Sequence, residues 1–280
     1  MKPIKFITTF STTGYSLYGR SWLETFKNSV KDDNISVDLY LDFEIPSQNN
    51  VNIINYDAAI PNHKQWINEF NSQYNGSVYN KKMAVRFSYK SFVMQHALQN
   101  NTDCYLIWLD GDCVFKPNND YSNFAEDLLD GKFIAVQREH NGGDDHCESG
   151  FVLFDTGHVD KQKFVDQFVS NYKIENVIQM GSPYDGFIIY RSLNGIDYVD
   201  LNDGYGRGGI QSDPNETFLH PEINKRFLHN IGITGKSSYA GWEFHKNDEY
   251  FKLMFGRAKK TPEEIKDIRN KLLTIRKNKK

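Results

Sequence analysis

The sequence predicts an α/β fold in which a mixed, largely parallel central sheet is flanked by helices. Short apolar segments that read as strands alternate along the chain with segments of helical period. The segment Tyr105–Leu109 is almost continuously apolar, which is typical of a strand at the buried centre of such a sheet. At 280 residues the chain is near the upper limit for one core. We therefore expect a single domain, residues 1–254, followed by an appendage, residues 255–280.

The individual elements follow in chain order. Strands are predicted at residues 4–10, 37–43, 51–56, 105–109, 133–136 and 151–154, and helices at residues 22–30, 82–98, 161–174 and 187–193. Residues 11–19 are predicted to form a polar loop, and residues 57–80 a mobile loop or insertion with one short helix. Residues 203–209 contain four glycines, which predicts a flexible loop or lid. Thr261 and Pro262 start a predicted C-terminal helix.

Composition excludes several classes of protein. The formal net charge of -3 argues against a general nucleic-acid binder. No run of 18 apolar residues occurs, and the first residues lead into a strand without the apolar core of a signal peptide. The three cysteines are an odd number at irregular spacing, which favours reduced thiols. We therefore expect a cytoplasmic protein.

The main chemical motif is the pair Asp110 and Asp112, separated by Gly111, directly after the buried strand 105–109. Ligands of open α/β sheets bind beyond the carboxyl ends of the strands. Two carboxylates in that position repel each other unless a cation lies between them, and hard oxygen ligands suit Mn²⁺ or Mg²⁺ bound to a diphosphate. The alternative is a turn whose acids cap the following segment.

In this context the sequence resembles the GT-A nucleotide-sugar glycosyltransferases, over about residues 4–240, and most closely their glycogenin-like and galactosyltransferase-like branch. The resemblance implies a Rossmann-like GT-A domain that transfers a sugar from a nucleotide-sugar donor to a glycan or protein hydroxyl, with Mn²⁺ (or Mg²⁺) as cofactor. It implies that Asp110 contacts the metal and the ribose and that Asp112 binds the metal. UDP is the expected nucleotide.

The same resemblance assigns further residues of the metal and donor sites. Arg86 and Lys90, four residues apart on one predicted helix face, are expected to approach the donor; the alternative is an ordinary solvated face. His229, in a His-x-x-Gly motif, would be the third metal ligand, and Lys236 would contact the phosphates. Lys236 comes one residue later than in the family pattern, and the Pro-Trp that often follows is absent. Retention of the anomeric configuration is the favoured outcome.

The remaining site residues are expected around the donor sugar and the nucleotide. The small-residue turn Ser149-Gly150 would face the donor sugar. Glu148 and Asp185 are the candidate catalytic carboxylates, and Glu148 keeps an inverting mechanism open. The residues Thr8, Thr9 and Phe10, at the end of the first strand, would cradle the base and ribose on grounds of topology alone.

The C-terminal residues 257–280 carry ten Lys or Arg against three acids. They predict a basic amphipathic helix that either docks on an anionic membrane or partner, making the protein peripheral, or packs on the domain as a solvated helix.

Three other functions stay open on the sequence. A P-loop enzyme, suggested by Gly235-Lys236-Ser237, would need a glycine where Asn230 stands. A sugar-phosphate nucleotidyltransferase shares the fold but calls for a glycine-rich, basic first loop. A non-catalytic glycan-binding domain is disfavoured because Asp110, Asp112 and His229 are all present.

Overall fold

The structure, a computed structural model, describes residues 2–139, 146–180, 184–203 and 218–229. The strands are β1 (Ile4–Phe10), β2 (Ile35–Leu41), β3 (Val51–Asn55), β4 (Tyr105–Leu109), β5 (Cys113–Phe115), β6 (Ile134–Glu139), β7 (His146–Asp155), β8 (Tyr198–Asp200) and β9 (Phe227–His229). The helices are α1 (Thr12–Gly14), α2 (Arg20–Ser29), α3 (Tyr56–Ala59), α4 (His63–Gln73), α5 (Val78–Asn100), α6 (Phe124–Leu129), α7 (Lys161–Asn171), α8 (Ile174–Met180), α9 (Asp185–Arg191) and α10 (Pro221–Arg226), with a π-helical turn at Tyr15–Gly19.

Seven of the strands form one mixed sheet in the order β3-β2-β1-β4-β7-β6-β8. Strand β7 runs antiparallel to both of its neighbours, and the other pairs are parallel. Strands β5 and β9 pair separately as a small antiparallel sheet. The predicted α/β class with a mixed sheet flanked by helices is therefore confirmed.

Each face of the large sheet is covered by its own hydrophobic core. Helices α2 and α6 and the small sheet pack on one face, whereas α4, α5, α7 and α9 pack on the other. In β4, Ile107 and Leu109 enter the first core, and Leu106 and Trp108 enter the second. Because a strand alternates its side chains between faces, a strand covered on both sides is apolar throughout. This explains the continuous apolar segment.

The predicted polar loop at residues 11–19 was wrong, because these residues form α1 and the π-helical turn. The Ser11 hydroxyl accepts a hydrogen bond from the Gly14 N–H at 3.1 Å and caps the first helical turn. Gly19 serves close packing here: a Cβ atom added to it would lie 2.7 Å from Tyr15 Cδ2 and 3.1 Å from the Phe10 ring.

The mobile loop or insertion predicted at residues 57–80 was also wrong, because α3, α4 and the start of α5 occupy most of it, but the short helix predicted within this segment is confirmed and lies in α4. The Trp66 and Phe70 rings stack with centroids 5.0 Å apart, and the Trp66 indole N–H donates to the Tyr172 carbonyl at 2.9 Å. Polar residues dominate the local sequence, so the few long-range apolar contacts that order this segment leave only a weak periodic pattern.

Two predictions about the rest of the chain fall outside the described residues. These are the glycine-rich loop beyond Asp203 and the basic C-terminal helix at residues 255–280. Among the helices that the structure describes, none is both long and apolar enough to cross a membrane.

His63 is buried between α3 and α5, and its environment predicts a dependence of stability on pH. Its Nε2 lies 2.7 Å from Ser88 Oγ, which itself donates to the Val85 carbonyl. Ser88 must then accept from Nε2–H, which leaves Nδ1 to accept from Tyr56 OH at 2.7 Å. Burial lowers the pKa of His63 to about 4, against the opposing charge of Asp57. The neutral ring is the form that this network accommodates.

We expect acidification to destabilise the protein through His63. Because its pKa is lowered on folding, the stabilisation is complete above the unfolded value of 6.5 and is lost as the pH falls towards 4. Between pH 7 and pH 5 the loss is about 2 kcal/mol. Urea unfolding at both pH values measures it, and the variant His63→Gln, which retains a donor and an acceptor but does not titrate, should lose less. An equal loss in His63→Gln would assign the effect to other groups.

Candidate functional site

The turn Asp110-Gly111-Asp112 follows β4 at the edge of the sheet where β1 also ends, as the sequence predicts. The Asp110 N–H donates to the Gly150 carbonyl at 2.8 Å, and the Cys113 N–H donates to the Asp110 carbonyl at 3.0 Å. A Cβ atom on Gly111 would lie 2.4 Å from Phe10 Cε1. The glycine therefore allows the turn to pack against an aromatic side chain.

Lys90 is buried and holds two of the candidate carboxylates together. Its Nζ lies 2.8 Å from Asp110 Oδ1, 2.9 Å from Asp185 Oδ2 and 2.9 Å from Ser149 Oγ. Ser149 Oγ in turn donates to Asp185 Oδ2 at 2.8 Å. An ammonium group has three N–H donors, and these three oxygens use all of them. Lys90 was predicted to bind the donor substrate, and that stays a prediction; its contacts join α5 to the turn after β4, to β7 and to α9.

The carboxylates of Asp110 and Asp185 stabilise the charged form of Lys90. Burial by itself would lower the pKa of Lys90, but Asp110 and Asp185 outweigh it and raise that pKa, so the amine stays charged. Trp108, which sequence reasoning missed, completes the arrangement. Its indole N–H donates to Asp110 Oδ1 at 2.7 Å, and its ring lies 5.2 Å from Lys90 Nζ. Asp110 Oδ1 thus accepts from two donors.

His229 reaches the same turn from β9. Its Nε2 lies 3.2 Å from Asp112 Oδ1 and 3.9 Å from Asp110 Oδ2. The Phe218 ring stacks on the imidazole with centroids 5.2 Å apart. A Cβ atom on Gly150 would lie 2.6 Å from His229 Cε1, so a glycine is required at residue 150 for the imidazole to fit. The structure therefore brings together all three predicted metal ligands.

The acids around His229 determine its charge. Burial by itself would lower the pKa of His229, but the negative charges of Asp112, Glu148 and Asp110 outweigh this effect and raise the pKa to about 9. Glu148 is buried, and desolvation raises its pKa, whereas the positive charge of His229 acts to lower it. Its Oε1 accepts a hydrogen bond from the Gly150 N–H at 2.9 Å. The imidazole is therefore protonated at neutral pH when no metal is bound.

Three residues offer donor atoms that all lie within 4.8 Å of one another: Asp112, Cys113 and His229. Asp110 approaches this group through Oδ2. Carboxylate oxygens and an imidazole nitrogen are a donor set for a divalent ion, and the excess of negative charge at His229 would be neutralised by one. These residues fit a divalent metal. Sequence reasoning missed Cys113, because only the pairing of β5 with β9 puts it opposite His229.

A cavity of about 460 Å³ opens beside this turn. Asp110, Gly111 and Asp112 line one part of it, and aromatic and polar side chains of α3, α4 and α5 line another. Arg86 lines it as an exposed cation. The full lining is Thr9, Phe10, Ser11, Tyr18, Asp42, Tyr56, Asp57, His63, Lys64, Arg86, Phe87, Tyr89, Lys90, Trp108, Asp110, Gly111 and Asp112.

The remaining predicted residues divide into four groups. Thr9 and Phe10 line the cavity, whereas Thr8 is wholly buried and its hydroxyl has no hydrogen-bond partner. Asp185 and Ser149 belong to the Lys90 cluster. Lys236 lies outside the described residues.

Comparison with known proteins indicates the fold of this chain. No protein-family model and no curated protein matches the sequence. Among solved structures, the galactosyltransferase LgtC in complex with donor and acceptor sugar analogs matches with a TM-score of 0.52 at 12% identity, over 94% of this chain and 99% of that one. An active-site mutant of LgtC gives 0.51 at 11% identity over the same shares. Mouse xyloside xylosyltransferase 1 gives only 0.44 at 10% identity, over 69% and 82%. The chain therefore has the GT-A glycosyltransferase fold, as predicted.

Proposed function

We propose that the protein is a metal-dependent glycosyltransferase, which moves a sugar from a nucleotide-diphosphate donor, a UDP-sugar, to a hydroxyl group of a glycan or protein. The observation that carries the proposal is the convergence of Asp110, Asp112 and His229 beside a cavity at the carboxyl ends of β1 and β4. In open α/β sheets this is the edge where ligands bind. A volume of about 460 Å³ is within the range of small-molecule sites.

In this proposal, different residues at the cavity bind different parts of the donor. Asp110 Oδ2, Asp112 and His229 would hold Mn²⁺ or Mg²⁺, which when bound neutralises charge on the departing diphosphate. Arg86, an exposed cation on the cavity wall, would pair with the phosphates. The aromatic end at Tyr56 and Tyr89 would take the nucleoside.

The Lys90 cluster would orient the donor sugar. Lys90 lines the cavity, and Lys90 and Ser149 both bind Asp185 Oδ2, so this cluster is the part of the site that we propose for contact with the sugar hydroxyls. Retention of configuration is proposed from the His229 motif. Glu148 is the carboxylate that an inverting reaction would use as its base, since burial raises its pKa above its ordinary value.

Metal-dependent hydrolysis of the donor tests the proposal. The protein is incubated with Mn²⁺ and a panel of UDP-, GDP- and CMP-sugars, and free nucleotide is measured. We expect release from one donor class, and none after chelation. Absence of release from every donor, together with an unchanged melting temperature in their presence, would contradict the proposal. Turnover of a nucleoside triphosphate with a sugar phosphate would identify a nucleotidyltransferase.

A further inference from the structure

We propose that Cys113 is a ligand of the metal site, and that the site therefore binds the thiophilic ion Zn²⁺ more tightly than Mg²⁺. Among the residues that the structure describes, Asp112, Cys113 and His229 form the one group of three in which each residue offers a ligand atom and these three atoms lie within 4.8 Å of one another. The proposal concerns the metal centre of the proposed function and rests on that function for the catalytic use of the ion.

The position of Cys113 is fixed by the small sheet. Cys113 and His229 are directly paired across antiparallel strands β5 and β9. Side chains of such a pair project from the same face, with Cβ atoms about 5 Å apart. The pairing continues at Phe115 and Phe227, whose rings meet edge to face in the core with centroids 5.3 Å apart. The thiol and the imidazole are thus held side by side by backbone hydrogen bonds and core packing.

The turn before β5 brings the carboxylate to the same point. The Cys113 N–H donates to the Asp110 carbonyl at 3.0 Å, which turns the chain directly after Asp112. Asp112 Oδ1 then lies 3.2 Å from His229 Nε2. Both Cys113 and His229 are buried, at 1% and 5% exposure, so both side chains are enclosed by the protein. The donor set is preorganised on the side of the turn that faces His229.

One oxygen, one nitrogen and one sulfur ligand correspond to the three protein ligands of a catalytic zinc site. The fourth position would be taken by Asp110 Oδ2, which lies 3.9 Å from His229 Nε2, or by a phosphate oxygen of the donor. On binding, the thiol proton is released to solvent and the sulfur donates an electron pair to the ion. Mg²⁺ prefers oxygen ligands, so a sulfur ligand adds little to its binding affinity. The same sulfur ligand strongly raises the binding affinity for Zn²⁺.

Cobalt spectroscopy tests the role of Cys113 without measuring activity. The metal-free full chain is titrated with Co²⁺, and the near-ultraviolet charge-transfer absorption of a cobalt-bound thiolate is recorded. We expect the absorption in the wild type and its loss in Cys113→Ser and Cys113→Ala. Zn²⁺ should displace Co²⁺, whereas an equal concentration of Mg²⁺ should not. We expect Cys113→Ser to weaken Zn²⁺ binding by at least about tenfold.

The other two buried cysteines provide matched controls. Cys104→Ser and Cys147→Ser should keep the absorption, and circular dichroism shows whether each variant is folded. If a Cys113 variant is unfolded, Asp112→Asn replaces it: loss of the wild-type absorption in that variant supports the site. Absence of the absorption in the wild type, or its persistence in folded Cys113→Ser, would overturn the inference. A normal absorption without any donor hydrolysis would instead count against the proposed function alone.

Discussion

Replacing Asp112 by asparagine is expected to reduce metal-dependent donor turnover by about 10²–10³-fold, the loss seen when a group that stabilises transition-state charge is removed. Asparagine keeps the shape of the side chain but removes the negative charge that lies 3.2 Å from His229 Nε2. The site would therefore hold a divalent ion less tightly. The Asp112 side chain is 20% exposed, so the fold should tolerate the change. Nucleotide release across a Mn²⁺ titration measures the effect.

The matched control is Asp33→Asn, which neutralises an exposed carboxylate before β2. It should turn over the donor at the wild-type rate, and both variants should give wild-type circular dichroism spectra. Full activity of Asp112→Asn in the presence of a chelator would rule out a catalytic metal at this turn. Recovery of Asp112→Asn at high Mn²⁺ concentration would show that binding, and not the catalytic step, was impaired.

Replacing Lys90 by methionine is expected to cost about 3–5 kcal/mol of folding free energy, the range for breaking a buried ion pair. Methionine keeps the apolar stem but leaves Asp185, whose side chain is 4% exposed, without its cation. Ser149 still donates to Asp185, which compensates only in part. Urea unfolding at pH 7 measures this loss of stability.

Two further variants separate the ion pair from a general loss of packing. In Lys90→Met combined with Asp185→Asn, no uncompensated charge is left at residue 185, so most of the lost stability should return. Arg86→Met, one helical turn earlier on α5 and exposed, should change stability by less than about 0.5 kcal/mol but raise KM for the donor. Equal destabilisation by Lys90→Met and Arg86→Met would contradict the structural role of Lys90.

Local pattern was sufficient to predict most of the elements. Strands β1 and β4 have the predicted bounds, and the helix predicted at residues 82–98 lies within α5. The two wrong predictions share one cause, which is that packing contacts order residues whose local pattern resembles a loop. In residues 11–19 the glycines were interpreted as loop residues, but Gly19 is needed for contact with Tyr15 and Phe10. Residues 57–80 are ordered by contacts to distant segments, such as that from Trp66 to Tyr172.

The site shows the same division between local and long-range information. Sequence alone placed Asp110 and Asp112 after a buried central strand, because the apolar run and the acids that end it are adjacent in the chain. It also placed Arg86 and Lys90 four residues apart on one helix. It could not show that Lys90 is buried against Asp185 and Ser149, since helical periodicity fixes which residues share a face and not what that face meets.

Only the tertiary structure decided which side chains meet at the proposed metal site. The pairing of β5 with β9 joins three-residue strands that are far apart in the chain, and strands this short have no periodic pattern of their own. That pairing places Cys113 opposite His229 and so brings a thiol close to the oxygen and nitrogen ligands that the sequence predicts. The turn Asp110-Gly111-Asp112 is determined locally, whereas the ligands that complete it are determined by which strands meet.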